Sequence, residues 1–441
     1  MAEAARLQVS PLAAVRLLRR DPLELLERAA REGDVVRIRV PRLDLYVLNR
    51  PDLAWDVLAT HGARFTKGPT MQAAKRMLGE SLLTSEGEHH RRQRRLVQPL
   101  FHHERIADLA EPISAAGEGA AARWTDAERL DVRAEMARLT LEIVVATLFG
   151  AGIADAEAAR IGEAMNDVLA QFDRVFSPFL PITEHLPIPA TRRFRRARAV
   201  FDETIHRMIS ERRASGFCGD DLLSLLMRAK DAGSPMTDEQ IRDEAITIFL
   251  AGHETTANAL SWTWLLLSEH PDVEAWFRDR LDDTTSVGAV LHESLRLYPP
   301  AWAIGRRAIE DHAADGVTIP AGSVVIVSPW LLHHDPRWWR DPEAFDPDRW
   351  LGEEPVADRR AYLPFGAGSR MCIGEGFAEL EATTLLRTIA RSWRFEHDPS
   401  ERVRLQPVVT LRPRGALWMR ARRPETRAET PEGPAVRPGP P

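Results

Sequence analysis

Alternating apolar and polar positions predict two pairs of β-strands in an otherwise helical chain. The stretch "VVRIRVPRLDLYVLNRP" alternates on both sides of a turn, and a second such pair falls near "GVTIPAGSVVIVSPW". Between these stretches, over residues 70–298, almost every segment has the three-to-four spacing of an amphipathic helix. The pattern therefore predicts one domain that is mainly α with a smaller β portion.

One predicted helix is unusually long. It begins at Thr237, where Gln240 completes a capping box, and it ends at His270, just before Pro271. At 1.5 Å per residue this helix spans about 50 Å, which is enough to cross the whole domain. Its predicted inward stripe consists of Ile241, Ala245, Ile248, Gly252, Thr255, Ala259 and Leu266.

The middle of that stripe, "AGHETT" at residues 251–256, departs from what a core requires. A glycine inside a helix costs about 1 kcal/mol relative to alanine, and a buried carboxylate costs more unless it has a partner. Such a departure indicates a functional site. The structural alternative is that Thr255 bonds to the carbonyl group four residues earlier and Glu254 faces solvent. A zinc-protease motif is excluded, because position 257 is Ala and not a second histidine.

Composition narrows the class of protein. The 441 residues are 44% hydrophobic and carry a net charge of -6, which favours a globular chain and argues against nucleic-acid binding. The first 50 residues contain neither a membrane span nor a signal-peptide pattern, so we expect a cytoplasmic protein without a transmembrane anchor. The proline-rich residues 424–441 are predicted to be a disordered tail, which leaves residues 1–423 as the folded domain.

The only cysteines are Cys218 and Cys372, too few for a disulfide framework. Cys372 lies in the glycine-rich stretch "FGAGSRMCIGEG", ahead of a helix predicted to begin near Gly376. A lone cysteine cannot complete a zinc or iron–sulfur site, but it can supply one axial ligand to a haem. Glycines would let the backbone approach a flat macrocycle, and the helix N-terminus would favour a thiolate. No role is predicted for Cys218.

Four motifs together resemble the cytochrome P-450 family. Its haem-binding signature, Phe-x-x-Gly-x-Arg-x-Cys-x-Gly, is filled by Phe365, Gly368, Arg370, Cys372 and Gly374. The stretch "AGHETT" resembles the oxygen-activating part of the family's central helix, "HESLR" supplies its Glu-x-x-Arg, and "FDPDRW" resembles a third segment. The resemblance covers about residues 10–420. It implies a single-domain cytochrome P-450 fold, with haem b between the long central helix and the helix that follows the cysteine loop.

The resemblance implies roles for residues around that haem. Cys372 would ligate the iron, and Glu293, Arg296 and Arg349 would form a buried network that positions the cysteine loop; the alternative for the first two is an ordinary exposed pair. Residues expected to reach the haem propionates are Arg94, Arg306 and Arg370, with His90 standing where many members have Trp. Further haem contacts implied in this way are Phe365, Gly366, Gly374, Ala251 and Gly252.

The reaction implied is insertion of one oxygen atom of dioxygen into a substrate. Glu254 and Thr255 match the family's acid–alcohol pair, in which the alcohol hydrogen-bonds the oxygen being activated and the acid gates the supply of protons. Gly252 would leave room for dioxygen. Electrons would come from NAD(P)H through a separate ferredoxin or flavodoxin and its reductase, docking on positive charge left over at Arg91, Arg92 and Arg95.

The positions expected to line the substrate pocket carry no charge. They are Thr247, Leu250 and Ala251 on the long helix, Ala301, Trp302 and Ile304 after the diproline, and Val409 near the end of the domain. A pocket of this kind selects by shape and apolar area, so we expect a hydrophobic small molecule such as a terpenoid, fatty acyl chain or polyketide. The stretch "FSPFLPITEHLPIP" falls where the family has a mobile entrance lid, and we expect the protein to be a monomer.

Two other functions remain open from the sequence. A haem-thiolate enzyme that uses peroxide directly often lacks the acid–alcohol pair that this chain has. A haem-binding sensor without turnover would need an output module, and no second domain is visible in the sequence.

Overall fold

The computed structural model describes residues 3–41, 43–150, 160–164, 167–168, 188–216, 219–231, 233–352 and 358–424. Three features predicted from the sequence fall outside these ranges. They are the tail beyond residue 424, the lid segment apart from Ile188 and Pro189, and the second cysteine, Cys218.

Helices make up most of the described chain. The labelled helices are α1 (Pro11–Arg20), α2 (Pro22–Glu32), α3 (Pro51–Trp55), α4 (Pro69–Leu78), α5 (Gly87–Val97), α6 (His103–Ala107), α7 (Ala110–Ala121), α8 (Val132–Phe149), α9 (Pro189–Ser215), α10 (Leu222–Arg228), α11 (Asp238–Glu269), α12 (Pro271–Arg278), α13 (Thr284–Leu297), α14 (Pro329–His333) and α15 (Glu375–Ala390). A π-helix spans Asp56–Thr60, and short 3₁₀ turns include Pro347–Trp350 and Gly368–Arg370.

The strands form several small sheets. They are β1 (Ala5–Arg6), β2 (Val35–Val40), β3 (Leu43–Leu48), β4 (Phe65–Lys67), β5 (Arg129–Asp131), β6 (Lys230–Asp231), β7 (Ser234–Pro235), β8 (Ile304–Ala308), β9 (His312–Ala314), β10 (Val317–Ile319), β11 (Val324–Val327), β12 (Arg394–His397), β13 (Leu405–Pro407), β14 (Leu411–Pro413) and β15 (Trp418–Arg422). The largest sheet has the order β1-β2-β3-β11-β8-β4. The prediction of a mainly α chain with a smaller β portion is confirmed.

The two predicted strand pairs have different outcomes. β2 and β3 form the expected antiparallel hairpin, with Val36 opposite Val47. β10 and β11 exist as strands but do not pair with each other, because β10 pairs with β9, whereas β11 lies between β3 and β8. The reason is in the sequence of β11: its four consecutive apolar residues, "VVIV", suit an interior strand covered on both faces better than one strand of an exposed hairpin.

Helix α11 has the predicted start and length. The Thr237 hydroxyl accepts the N–H of Gln240, and the Gln240 side chain accepts the N–H of Thr237, which completes the capping box. The helix packs most extensively against α8 and also meets α9, α13 and α15. It is buried around most of its circumference: polar residues such as Glu244 are covered, whereas Ile248, Gly252 and Thr255 of the predicted stripe are only half-buried.

The largest apolar core surrounds the C-terminal half of α11 and contacts α7, α8, α13 and α15. Trp262 on α11 is fully buried there, stacks on Tyr298 with ring centroids 4.3 Å apart, and donates its Nε1–H to the Leu411 carbonyl oxygen at 3.1 Å. A second core surrounds the N-terminal half of α11 and includes Phe249 and Leu250. The middle of α11, where "AGHETT" lies, therefore sits between the two cores.

Candidate functional site

The cysteine loop depends on two glycines with left-handed backbone. Gly366 has φ +74° and Gly368 has φ +72°, and a Cβ atom on Gly368 would lie 2.3 Å from the Leu58 carbonyl oxygen. The loop is closed by the Cys372 N–H, which donates to the Phe365 carbonyl oxygen at 2.9 Å. The backbone of the π-helix Asp56–Thr60 thus packs so closely against the loop that only glycine fits at position 368.

Cys372 lies directly before α15. Its residue is exposed, yet the thiol is closely surrounded, and this burial raises its pKa; the Gly374 N–H and the charge of Arg94 act in the opposite direction. Its accessible surface therefore lines a recess and not the outer surface. A cationic metal at the sulfur would stabilise the thiolate directly and reverse the effect of burial.

A fully buried carboxylate at Glu293 organises the segment that leads into this loop. Glu293 and Arg296, one helical turn apart on α13, are both 0% exposed. The carboxylate accepts five hydrogen bonds, from Arg296 Nε (3.0 Å) and Nη2 (2.8 Å), Arg349 Nε (3.0 Å), Trp350 Nε1 (2.8 Å) and the Asp346 N–H (3.1 Å). The exposed-pair alternative is therefore excluded.

Arg296 is equally well satisfied. Besides its bonds to Glu293, its Nη1 donates to the carbonyl oxygens of His333 (2.9 Å) and Pro342 (2.6 Å), and its Nη2 donates to that of Ala344 (2.9 Å). All five guanidinium N–H groups have acceptors. A buried ion pair repays its desolvation only when geometry and remaining hydrogen bonds are this complete.

His333 connects the network to the cysteine loop. Its Nδ1 lies 3.1 Å from the Arg296 carbonyl oxygen, and its Nε2 accepts the Leu363 N–H at 2.9 Å. Complete burial keeps the imidazole neutral by lowering its pKa well below the usual value. Leu363 is two residues before Phe365, so the network holds the start of the loop that ends at Cys372.

A cluster of basic side chains, buried or half-buried, lies beside the loop. It consists of Lys67, His90, Arg94, Arg306 and Arg370, with Glu86 as the acid among them. Burial, together with the neighbouring positive charges, lowers the pKa of Lys67 to about 7, that of His90 to about 4 and that of Arg306 to about 10.

Partners account for only part of this charge. Arg370 Nη2 donates to Glu86 at 2.6 Å, its Nη1 donates to the carbonyl oxygens of Gly62 and Phe65, and Arg94 Nη1 donates to that of Met371. The Nε atoms of Arg306 and Arg370 are buried without an acceptor. Even with His90 neutral, three arginines against one carboxylate leave an excess of positive charge, which fits two additional carboxylates such as haem propionates.

Lys67 and Glu86 were not predicted from the sequence. Lys67 is 5% exposed, and its Nζ donates to the carbonyl oxygens of Leu82 and Ser85 at 2.8 Å each. The available signal was weak: Lys67 is one of three lysines in a chain that otherwise uses arginine. No sequence pattern pointed to Glu86. It accepts hydrogen bonds from the Lys67 N–H and from Arg370 Nη2, and both donors are distant from it in the sequence.

The centre of α11 combines an exposed alanine with a back-bonded threonine. Ala251 is exposed although it lies in the middle of a mostly buried helix. The Thr255 hydroxyl donates to the Ala251 carbonyl oxygen at 2.6 Å, as the structural alternative anticipated. A Cβ atom on Gly252 would lie 3.3 Å from Val144 Cγ2 of α8, so the missing side chain serves close helix packing; a role in admitting dioxygen stays a prediction.

Glu254 does not face solvent, and that part of the alternative was wrong. It is 9% exposed, and its Oε1 accepts the Thr410 hydroxyl at 2.9 Å and Arg412 Nη1 at 3.1 Å. Both partners lie on or beside the C-terminal hairpin of β13 and β14, more than 150 residues away in sequence. No local pattern could have revealed them.

The residues predicted to line the substrate pocket lie in different parts of the structure. Leu250 and Val409 pack on the same core, and Ile304 lies beside the cysteine loop, where its Cδ1 is 3.5 Å from the place of a Gly366 Cβ. The pocket role of Trp302 stays a prediction: its indole is buried in a different core and donates to the Val408 carbonyl oxygen at 3.0 Å, so it supports the neighbour of Val409. The remaining positions are Thr247, which is buried, and Ala301, which is half-buried.

Acids of α11 also hold the loop that follows α4. The side chain of Asp243 accepts the Glu80 N–H at 2.8 Å, and that of Glu244 accepts the Leu82 N–H at 2.7 Å. Gly79, with φ +65°, is required there because its Cβ atom would lie 1.9 Å from the Asp243 carboxylate. Burial raises the pKa of Glu244 to about 8.

The predicted docking arginines are partly neutralised. Arg91 pairs with Glu88 at 2.6 Å, Arg95 pairs with Asp231 at 3.0 Å, and Arg92 lies 3.7 Å from the same aspartate. These ion pairs are at least partly exposed, so each contributes little to stability and can exchange partners.

A further polar cluster joins Asp56 to two histidines. His61 Nδ1 lies 2.6 Å from one carboxylate oxygen and His312 Nε2 lies 2.8 Å from the other. Each ring nitrogen meets a different oxygen at hydrogen-bond distance, which is the arrangement of a hydrogen-bonded triad. The triad anchors β9 to the π-helix beneath Gly368.

Comparison with known proteins shows the family to which the chain belongs. The sequence profile described as "Cytochrome P-450" matches residues 13–418. The chain belongs to the cytochrome P-450 family. The fold agrees: the chain superposes on a cytochrome P-450 from Thermus thermophillus, CYP175A1, with a TM-score of 0.77 and 29% identity over 96% of this chain and 100% of that one.

Relatives of this cytochrome P-450 include two that are named as oxygenases. The chain is 38% identical to cyclooctatin synthase of Streptomyces melanosporofaciens over 90% of both chains. It is 36% identical to cyclooctat-9-en-7-ol 5-monooxygenase of the same organism over 86% of both chains, and 34% identical to pentalenene oxygenase of Streptomyces avermitilis over 89% of this chain and 91% of that one. The protein is a cytochrome P-450 monooxygenase with the single-domain fold of its family.

Membership of the family brings haem, dioxygen, a hydrophobic substrate and redox partners. The described residues fit a haem: a single thiol in a recess, an exposed alanine on α11, and an excess of positive charge beside the cysteine loop. Among the described residues, none of the helices has the length and apolar character needed to cross a membrane.

The buried network yields a first prediction. Replacing Glu293 or Arg296 with Ala leaves an uncompensated buried charge, which we expect to cost about 3–5 kcal/mol and to loosen the cysteine loop. Both variants should be purified without haem, measured as the ratio of Soret to 280 nm absorbance. Glu396→Ala, which removes the half-exposed partner of Arg422, serves as control and should retain haem. Normal haem content in both core variants would contradict the positioning role.

Glu244 yields a pH-dependent prediction. Its pKa of about 8 in the folded protein exceeds the usual 4.5, so the stability that its neutral form provides is lost as pH rises from about 4.5 to about 8. Glu244→Gln keeps an acceptor for the Leu82 N–H. Relative to the wild type, its free energy of unfolding should therefore increase over this pH range, by at most about 5 kcal/mol.

Urea titrations at pH 5, 6, 7 and 8 measure this difference. Glu239→Gln, at an exposed site in the first turn of the same helix, is the matched control and should follow the wild type. Parallel pH profiles for Glu244→Gln and the wild type would show that the Glu244 carboxyl group is not protonated in the folded protein.

Proposed function

We propose that this cytochrome P-450 inserts one oxygen atom of dioxygen into a cyclic terpenoid, using electrons from NAD(P)H delivered by a separate ferredoxin or flavodoxin and its reductase. The observation that carries the substrate class is near full-length similarity to cyclooctatin synthase and pentalenene oxygenase. The absence of charge from the predicted pocket positions, Thr247, Leu250, Ile304 and Val409, supports it.

The cofactor in this proposal is haem b. Cys372 would ligate the iron, and Arg94, Arg306, Arg370 and His90 would hold the propionates, assisted by Lys67. When bound, a thiolate-ligated haem supplies the activation of dioxygen. Arg370 is already bonded to Glu86, so in this arrangement its unpartnered Nε would face the additional acceptor.

Thr255 and Glu254 would handle protons. Because the Thr255 hydroxyl donates to the Ala251 carbonyl oxygen, its own oxygen is left as an acceptor and can hold a water molecule at a fixed position beside Ala251. Glu254 is the next residue along the helix and is held by Thr410 and Arg412. In this assignment the threonine orients a proton donor, and the acid controls its replenishment.

The reaction is tested by spectroscopy and coupling. We expect an absorbance maximum near 450 nm in the reduced, carbon monoxide-bound enzyme, and NAD(P)H-dependent oxygenation of pentalenene as a trial substrate with surrogate ferredoxin and reductase. In Thr255→Ala, product per NAD(P)H should fall on the order of 10-fold or more while hydrogen peroxide rises, because proton delivery is lost.

Thr263→Ala is the matched control for coupling. Thr263 lies two turns later on α11 and bonds back to the Ala259 carbonyl oxygen at 2.8 Å, but it is buried in the core. Its replacement should leave coupling unchanged. Equal coupling in Thr255→Ala and the wild type would refute the proton role, and oxygenation supported only by added peroxide would favour the peroxide-using alternative.

The donor assignment predicts a salt-dependent reaction. Replacing Arg91 and Arg95 with Gln should lower the second-order rate of reduction by a plant-type [2Fe–2S] ferredoxin by about 3- to 10-fold at low ionic strength, and the difference should vanish at high salt. The matched control is Arg16→Gln with Arg20→Gln, which removes two exposed charges from α1. Equal effects in both double variants, or a salt-independent rate, would rule out this docking face.

A further inference from the structure

The acid of α11 is tied to the C-terminal hairpin. We propose that Thr410 and Arg412 are positioning residues that hold the Glu254 carboxylate and couple it to occupation of the substrate pocket through the β13–β14 hairpin. The inference rests on the proposed function, in which Glu254 handles protons and Val409 contacts substrate.

A chain of hydrogen bonds runs from Asn258 through the Thr410 hydroxyl group to the Glu254 carboxylate. Asn258 Nδ2 donates to the Thr410 hydroxyl oxygen at 3.1 Å, and that hydroxyl in turn donates to Glu254 Oε1 at 2.9 Å. Asn258 is one helical turn after Glu254, so two side chains of α11 grip the same hydroxyl group. Arg412 Nη1 donates to the same oxygen of Glu254 at 3.1 Å. The carboxylate therefore has two independent donors from the hairpin.

The contact is shielded from solvent. The side chains of Glu254 and Arg412 are 11% and 14% exposed, and Thr410 and Asn258 are buried. A charge-assisted hydrogen bond in such surroundings is stronger and less sensitive to salt than one at the surface. Glu254 thus has a defined position that changes only if the hairpin changes.

The hairpin is anchored on both sides of its tip. Trp302 Nε1 donates to the Val408 carbonyl oxygen, Trp262 Nε1 donates to that of Leu411, and the Leu411 N–H donates to the Pro300 carbonyl oxygen at 3.0 Å. Between these anchors are Val409 and Thr410 alone. A displacement of Val409 must therefore be taken up at Thr410, the residue that holds Glu254.

These contacts predict a reciprocal effect. Suppose that occupation of the pocket changes the equilibrium constant for forming the contact between Glu254 and the hairpin. Linkage then requires that formation of the contact changes the affinity for the ligand by the same factor. Glu254 need not touch the ligand for this to occur. Independent sites would show no such effect.

The test measures binding of 4-phenylimidazole, an azole that binds haem and fills the adjoining pocket, by spectral titration. Glu254→Ala and Arg412→Gln should each change its Kd by about 3- to 10-fold, and the double variant should show no larger change than Glu254→Ala, because both substitutions break one contact. Arg412→Lys, which keeps a cationic donor, should have a Kd close to that of the wild type. Arg414→Gln, an exposed position just beyond β14, is the matched control.

Hydrogen exchange of the peptide containing residues 405–413 provides a second readout. The azole should slow exchange in the wild type, and this protection should be smaller in Thr410→Val than in Thr410→Ser, which keeps the hydroxyl group. Independent, multiplicative effects on Kd, or equal protection in both Thr410 variants, would overturn the coupling. Failure of the proposed function is distinguishable, since it appears as a missing 450 nm absorbance or missing oxygenation with the coupling in Kd intact.

Discussion

The structure depends on one buried carboxylate. Glu293 accepts five hydrogen bonds in a position without any solvent access, and Arg296 beside it has an acceptor for every N–H group. Neither charge could remain buried alone, because desolvation would exceed what a partial set of partners returns. The segment from His333 to Trp350 supplies the other partners, through backbone and side-chain groups, and its backbone is thereby held in a single path. Since His333 also accepts the Leu363 N–H, the same constraint extends to the start of the cysteine loop.

The loop itself is shaped by steric exclusion. Gly368 meets the backbone of Leu58 so closely that no side chain fits, and the left-handed φ values of Gly366 and Gly368 turn the chain so that the Cys372 N–H returns to Phe365. Around the loop lies an excess of positive charge, on buried and half-buried side chains, that one glutamate does not balance. Rigid backbone and unbalanced charge are complementary requirements for a dianionic, flat cofactor that must be placed accurately over a thiolate.

Helix α11 contributes the opposite wall and carries several roles on one element. Its N-terminal half holds the loop after α4 through Asp243 and Glu244, its middle carries Ala251, Glu254 and Thr255, and its C-terminal half is the centre of the largest core. The polar residues in the middle cost stability in a helix that is otherwise buried. Glu254 is bonded to Thr410 and Arg412 of the β13–β14 hairpin, so the C-terminal part of the domain contacts the middle of α11.

The sequence by itself determined the helical class, the start and length of α11, the glycine-rich loop around Cys372 and membership of the cytochrome P-450 family, because each is written in local spacing: capping residues, periodicity and contiguous motifs. It also placed Glu293, Arg296 and Arg349 in one network, through resemblance. Tertiary structure alone decided that β11 lies inside the sheet, that Trp302 supports the hairpin, that Lys67 and Glu86 join the cation cluster, and that Arg412 and Thr410 hold Glu254. The physical reason is the same in each case. These outcomes depend on which desolvated polar groups and apolar faces meet across long sequence separations, and no local pattern encodes a partner 150 residues away.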